Sequence, residues 1–242
     1  MLISLLSNLG NIDFMTVITY ILSTLVVVFL VLPLHEWAHG FVAYKLGDNT
    51  AKRSGRLTLN PLAHIDPFGS MLLLLIGFGW AKPVPVEPRN FKNEKTGMAI
   101  TALAGPVSNL IAAIIAGILM HALIAVLTAA GIVVSVGSVF YISSGGTFWA
   151  YVIRFFMYLM LINISLAVFN FIPIPPLDGS KILMAFLPDS AVEWLYAHEQ
   201  IFSIGLFILV MAGGLNGGII TALQSVLYNF IDWLTALPFS FA

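Results

Sequence analysis

Cysteine is absent from the 242-residue sequence, and charged residues make up only 9% of it. The lack of cysteine excludes disulfide bonds, thiolate metal ligands and cysteine nucleophiles, so any metal ion must be held by histidine and carboxylate side chains. The net charge of −1 provides no basic field, and we expect no nucleic-acid partner. Hydrophobic residues account for 60% of the chain, far more than in a soluble domain, which predicts a polytopic membrane protein in contact with the lipid bilayer.

Apolar runs predict how the chain crosses the membrane. A bilayer core takes about 20 helical residues, so the runs at 14–34, 96–129 and 148–171 are each long enough to cross it. Shorter runs at 201–213 and 219–237 predict a closing helical hairpin, which occupies about 199–238. We therefore expect an all-α fold of five to six transmembrane helices in one domain, residues 1–242.

Charge and residue size predict the orientation and packing of these helices. Eight of the ten lysines and arginines lie between positions 45 and 95, and such a region is expected to face the cytoplasm. The segment 1–13 has no basic start, so we expect it to be retained and not removed as a signal peptide. In the second long run, small residues four apart predict the face that packs against a neighbouring helix. They are Ala104, Ser108, Ala112 and Ala116.

Two parts of the basic region are predicted to be extended. Polar and apolar residues alternate in the segment 56–59, and the segment 82–88 contains three prolines. We expect these segments to form a small β element at the membrane surface.

The strongest chemical signal is the sequence His35-Glu36-Trp37-Ala38-His39 at the end of the first apolar run. On a helix, residues i and i+4 lie on one face a turn apart, as two ligands of one tetrahedral zinc ion require. Glu36 would then lie beside the ion and act as the general base toward a water molecule. Such a motif arises by chance in about one chain in five hundred of this composition.

A catalytic zinc ion usually has three protein ligands and one open position. The best third ligand is Asp178, which follows a proline-rich break at the end of the third long run. The first and third runs cross the membrane in the same direction, and each carries its metal-binding residue near the same end. We therefore expect Asp178 to reach the depth of His35 and His39 and to complete a site for one Zn²⁺ per chain.

With these residues the sequence resembles the site-2 protease family of intramembrane metalloproteases. The resemblance rests on the histidine motif and on the proline-rich segment that ends in Leu177-Asp178-Gly179. The segments 60–67 and 105–109 resemble further family segments. The resemblance covers about 16–185 and implies a three-helix catalytic core there, zinc on His35, His39 and Asp178, Glu36 as the base, and cleavage of a transmembrane protein substrate. We expect this to be a short form without a PDZ domain.

Peptide hydrolysis develops negative charge on the carbonyl oxygen, and a polar residue besides the metal should stabilise it. Three residues in or beside apolar segments are candidates: Asn170, Asn109 and His64. Each also has a purely structural explanation, as a helix cap, an interhelical hydrogen bond or a loop residue. His121 and His198 have no partner at ligand spacing and are expected to be structural or solvated.

Two other functions remain open from the sequence. A metal transporter also uses intramembrane histidine and aspartate, although it has no need for Glu36 between the ligands. A zinc-binding adaptor that binds membrane helices without cleaving them is the second. The expected location is the plasma membrane of a prokaryote, with the active site toward the cytoplasm. The substrate and the oligomeric state are not predicted.

Overall fold

The computed structural model describes residues 14–76, 79–136, 139–142, 146–212 and 218–239, and helices dominate them. The α-helices of these residues are α1 (Phe14–Val26), α2 (Leu32–Lys45), α3 (Thr50–Arg53), α4 (Pro67–Ile76), α5 (Glu94–Ala129), α6 (Thr147–Asn170), α7 (Asp178–Met184), α8 (Asp189–Ala197), α9 (Glu199–Met211) and α10 (Gly218–Ala236). Short 3₁₀ turns occur at Pro61–Ala63, Pro88–Asn90 and Leu237–Phe239. The all-α architecture predicted from the sequence is confirmed.

Three helices are long and apolar enough to cross a membrane: the continuous helix Phe14–Lys45, α5 and α6. They form the predicted three-helix core. Within the described residues, this is fewer than the five to six spans that the apolar runs predict. In the closing hairpin, α9 is apolar but has 13 residues, whereas a membrane span needs about 20.

The first span is one helix with a π-helical segment, Val27–Val31, between α1 and α2. Pro33 lies in the first turn of α2 and has no N–H to donate, so the regular hydrogen-bond pattern is interrupted in the turn before it. The buried side of this segment, including Val27 and Val31, packs against Leu73 of α4. The π-helical segment ends four residues before His35. It therefore sets the side of the helix on which the side chains of the histidine motif lie.

Helix α5 is the centre of the bundle and packs against α2, α6, α7 and α10. The shared core of α5, α6 and α10 is a cluster of buried residues that includes Ala113, Ala116, Met160 and Ile231. The buried row on α5 runs through Gly105, Asn109, Ala113 and Ala116. The first three residues of this buried row therefore each lie one position after the predicted residue, whereas Ala116 is as predicted. Ala104, Ser108 and Ala112 are only half-buried.

The β element lies elsewhere than predicted. Within the described residues the sheet is one antiparallel pair, β1 (Val133–Val136) and β2 (Val139–Ile142), with Val133 opposite Ile142. This hairpin connects α5 to α6. The predicted strand at 56–59 is irregular because the amides of Arg56 and Leu57 both donate to the carbonyl of Ala51 in α3. The proline-rich segment is neither helical nor paired as a strand among the described residues, and Glu87 at its end has extended backbone angles, as the prolines favour.

The proline-rich segment is fixed at both ends by hydrogen bonds. The Lys82 amide donates to the His64 carbonyl at 2.7 Å, and the Arg56 guanidinium donates to the Lys82 carbonyl at 2.7 Å. At the other end, the Glu87 amide donates to the carboxylate of the fully buried Asp48 at 2.9 Å. We call residues 79–87 the extended segment. These bonds hold it against the C-terminal half of α2.

Candidate metal centre

The histidine motif lies on α2 and faces the interior of the bundle. His35, Glu36 and His39 are all less than 10% exposed. The two imidazole rings meet edge to face, with centroids 4.7 Å apart and an angle of 85° between their planes. Their Nε2 atoms are 3.1 Å apart. The i, i+4 spacing has therefore placed one nitrogen of each ring at the same point.

Asp178 joins the two histidines, as the sequence predicts. Helix α6 ends at Asn170, and α7 begins at Asp178 after the proline-rich turn. The Asp178 Oδ2 atom lies 3.3 Å from Nε2 of His35 and 3.2 Å from Nε2 of His39. Within the described residues, these three form the one group of histidine and acidic side chains that could hold a metal ion.

The hydrogen bonds around the cluster show that it suits a cation. His39 Nδ1 lies 2.7 Å from the Thr101 carbonyl oxygen, which can only accept, so Nδ1 must carry a proton. In the neutral ring, Nε2 then has a lone pair that faces the Asp178 carboxylate. Asp178 Oδ2 is buried and has no hydrogen bond of good geometry. Three electron-rich atoms thus converge where only a positive charge, a proton or a metal ion, relieves their repulsion.

The Thr101 carbonyl also fulfils a known requirement of metal sites. A ligating histidine usually donates its second ring N–H to a carbonyl, carboxylate or water, and this bond fixes the ring orientation. For His39 the acceptor is Thr101 of α5. The corresponding atom of His35, Nδ1, is buried without a partner in the structure. The residues present therefore fit a zinc site.

Charge near Asp178 keeps it ionised. Burial by itself raises the pKa of the Asp178 carboxyl, but when the adjacent His39 and His35 carry the positive charge, that charge and their hydrogen bonds outweigh burial and hold this pKa well below its usual range. Lys181, one turn later on α7, places its Nζ 3.9 Å from Asp178 Oδ1. Lys181 was not predicted as part of the site, although its i+3 spacing from Asp178 is typical of an ion pair on a helix.

A glycine allows α5 to approach the histidines. A Cβ atom added to Gly105 would lie 2.3 Å from Nε2 of His39 and 2.5 Å from Cε1 of His35. Any larger residue would displace the two rings. Gly105 belongs to the segment 105–109, which drew attention only through the family resemblance. Composition and spacing alone did not identify it.

Glu36 is held by the extended segment. Its Oε2 atom accepts a hydrogen bond of 2.8 Å from the backbone amide of Val84. Glu36 therefore lies beside the metal-binding group without being one of its three members, as the motif predicts.

The cluster opens into a large cavity of about 1610 Å³. Its walls come from α2, the extended segment, α5, the end of α6, α7, α8, α9 and α10. Asn170, the last residue of α6, lines it together with the four site residues His35, Glu36, His39 and Asp178. Trp80, Val84 and Val86 of the extended segment also line the cavity.

The other two predicted oxyanion residues lie outside the cavity lining. His64 is fully buried, and its Nε2 pairs with the Thr58 carbonyl at 2.8 Å. It therefore shapes the loop that fixes the extended segment. Asn109 is also fully buried, on α5 one turn beyond Gly105, and neither of its side-chain polar atoms has a hydrogen-bond partner among the described residues. Their predicted chemical role stays a prediction.

Comparison with known proteins identifies the family. The model of Peptidase family M50 matches residues 23–212. The chain belongs to peptidase family M50. The match includes all three members of the metal-binding group, and the predicted resemblance to site-2 proteases is confirmed.

Relatives within family M50 support the zinc cofactor. The chain is 42% identical over 200 residues to "Putative zinc metalloprotease YwhC" of Bacillus subtilis, which covers 81% of this chain and 82% of the relative. It is 26% identical over 190 residues to "Putative zinc metalloprotease Rip2" of Mycolicibacterium smegmatis. That match covers 76% of this chain and 65% of the relative. No solved structure matches the chain. Family and cluster together confirm the predicted zinc cofactor, and the protein is a membrane metalloprotease.

Proposed function

We propose that the protein is a zinc-dependent intramembrane endopeptidase that hydrolyses peptide bonds within or near transmembrane helices of membrane proteins. The observation that carries this proposal is the position of the His35, His39 and Asp178 cluster. It is buried among apolar helices, with Glu36 beside it, and it lines a cavity large enough for an extended peptide. The proposed location is the plasma membrane of a prokaryote, with the site toward the cytoplasm. The Lys and Arg pattern supports that orientation.

Each residue of the cluster has a proposed role. His35, His39 and Asp178 would hold the zinc ion, which lowers the pKa of a water molecule and polarises the substrate carbonyl. Glu36 faces the cavity and accepts the proton of the attacking water. It then donates this proton to the amine that leaves when the peptide bond breaks.

Asn170 is the oxyanion donor that the cavity supports best. Its Nδ2 donates one hydrogen bond of 3.0 Å to the Leu166 carbonyl one turn earlier. A side-chain amide has two N–H donors, so the second remains for a developing negative charge. The bond to Leu166 also limits where this second N–H can point.

The extended segment is the proposed binding edge for the substrate. A helix hides its amides, so the scissile region of a substrate must become extended before hydrolysis. The segment borders the cavity next to Glu36, and an unwound peptide could add to it as a neighbouring strand. The segment 56–59, which was also predicted to be extended, does not line the cavity.

The experiment compares the purified protein with its Glu36→Gln variant in zinc-containing vesicles with a single-span substrate. Cleavage by the native chain, and a loss of at least about a hundredfold in Glu36→Gln with zinc content unchanged, is the expected result. Glu87→Gln is the matched control, because Glu87 lies on the extended segment but outside the cavity lining. Undiminished cleavage by Glu36→Gln would refute the assigned mechanism.

The same experiment separates the two alternative functions. Zinc binding without cleavage of any substrate in a panel would favour an adaptor. Movement of zinc into sealed vesicles, measured with a fluorescent zinc indicator, would favour a transporter. The buried carboxylate beside the cluster argues against both, because neither function needs a base at that position.

A further inference from the structure

We propose that the backbone N–H of Val84 is a positioning group that aims the Glu36 carboxylate into the cavity. This inference rests on the proposed function of Glu36 and adds a second requirement to it. The Val84 amide donates to Glu36 Oε2 at 2.8 Å, and both residues are 9% exposed. A hydrogen bond from an amide to a buried carboxylate is charge-assisted and roughly twice as strong as a neutral one. It leaves Oε1 as the oxygen that can approach a water molecule.

The sequence around Val84 makes this N–H unique. Pro83 and Pro85 flank it and have no N–H, so Val84 carries the one backbone donor between them. In an extended chain, amides two residues apart point to the same edge. The amides of Lys82 and Val84 obey this rule, because both donate toward the protein, to the His64 carbonyl and to Glu36.

The contact between the extended segment and α2 depends on Gly40, the residue after His39. A Cβ atom at position 40 would lie 3.2 Å from Val84 Cγ1 and 3.3 Å from the Ala51 side chain. Both distances are shorter than ordinary van der Waals contacts. An alanine would therefore require Val84 or Ala51 to give by a few tenths of an ångström, and we expect this to strain the bond from the Val84 amide to Glu36 without a contact with Glu36 itself.

Together these contacts connect substrate binding to the base. The proposed binding edge and the group that orients Glu36 belong to one segment, fixed at both ends to the loop of His64 and to Asp48. A shift of the segment would change the position of the base, and a misplacement of about 1 Å at a reacting group can cost about a hundredfold in rate. The segment would thus bind the substrate and orient the carboxylate that acts on it.

The most direct test replaces Val84 by its α-hydroxy acid, which exchanges the N–H for an ester oxygen and keeps the side chain. We expect kcat for a single-span substrate to fall about 10- to 100-fold, with KM and zinc content unchanged. Val84→Ala keeps the N–H, and we expect its fall in kcat to be several-fold smaller than that of the ester variant. An ester variant with native kcat, or an equal loss in Val84→Ala, would overturn the proposal.

A second test uses the glycine contact and keeps every backbone amide. Gly40→Ala should lower kcat, and adding Val84→Ala should restore part of it, because the shorter side chain removes the contact with the new Cβ. A double variant that is no better than Gly40→Ala would count against the proposed contact.

A third test needs neither zinc nor substrate. In metal-free protein labelled with ¹⁵N-valine, Glu36→Ala should accelerate hydrogen exchange of the Val84 amide, because its acceptor is lost. Unchanged exchange would overturn the proposal even if Glu36→Gln abolishes cleavage. If instead the proposed function is wrong, the native protein will not cleave the substrate, whatever the exchange rate of the Val84 amide.

Discussion

Helix α5 borders two groups of histidine and aspartate, and they differ in a way that explains the site. Near its start, His35 and His39 meet Asp178 at 3.2 to 3.3 Å. Nearer its end, His121 meets Asp232 of α10 at 3.1 Å. The distances are alike, but the second group has one histidine and a half-exposed aspartate, and among the described residues no third histidine or acidic side chain completes it. A short distance between histidine and aspartate therefore does not define a metal site.

Each group also lies next to a glycine of α5. Gly105 lies against the two histidines, whereas a Cβ at Gly117 would lie 2.7 Å from Thr235 Oγ1 on α10. The first glycine brings the helix close to three convergent ligand atoms. The second brings two helices into van der Waals contact. The same residue type thus serves a chemical site at one end of α5 and helix packing at the other.

The largest expected effect comes from the two aspartates. Asp178→Asn should weaken zinc binding more than about a hundredfold, beyond the loss from removing a residue that only orients a ligand, and abolish cleavage. Asp232→Asn should keep zinc and cleavage and lower the free energy of unfolding by about 1 kcal/mol, the value of one hydrogen bond. Zinc per chain by mass spectrometry and thermal unfolding in detergent would measure both. Loss of zinc in Asp232→Asn would contradict the distinction between a metal-binding group at Asp178 and a structural pair at Asp232.

The two glycines give the next effect. Gly105→Ala should reduce zinc affinity about 10- to 100-fold, because the methyl group must displace both imidazole rings. Gly117→Ala adds the same methyl group to the same helix and should leave zinc affinity native while lowering the unfolding temperature. Competition with a chromophoric zinc chelator would give both affinities. Equal affinities in the two variants would show that α5 has room to move at Gly105.

The smallest expected effect comes from Asp48, a third aspartate to compare with Asp178 and Asp232. It is a buried carboxylate satisfied by neutral donors, namely Thr50, the Glu87 amide and Asn90. Burial raises its pKa, but these hydrogen bonds outweigh burial and hold the pKa below its ordinary value. Asp48→Asn should therefore cost about 1 to 3 kcal/mol at pH 7, measured by thermal unfolding, with zinc retained.

The pH dependence of that cost has a definite sign. A carboxyl whose folded pKa is lowered contributes stability that is complete above its unfolded pKa, about 3.9, and is lost as the pH falls through the folded pKa. The difference between native protein and Asp48→Asn should thus be constant near neutrality and shrink below about pH 4. A difference that grows in acid would contradict the assigned hydrogen bonds.

Much of the site could be predicted because its residues follow local rules. The i, i+4 spacing placed His35 and His39 on one face, and the direction of the spans brought Asp178 to the same depth. Thr101, Gly105 and Val84 were not predicted. Thr101 and Val84 act through backbone groups and Gly105 through the lack of a side chain, so residue type carries little signal. The buried face of α5 was predicted one position too early for three residues, because small residues also occur at the neighbouring positions and the pattern fits either row.

The sequence by itself determined the membrane-embedded helices, the order of the metal-binding motifs and the residues that could hold zinc, because hydrophobic length and helical period are local properties. Only the tertiary structure decided which carbonyl orients His39, which amide holds Glu36, and that the proline-rich segment is not paired as a strand among the described residues. Those contacts join parts of the chain dozens of residues apart, and their geometry depends on how closely the helices pack.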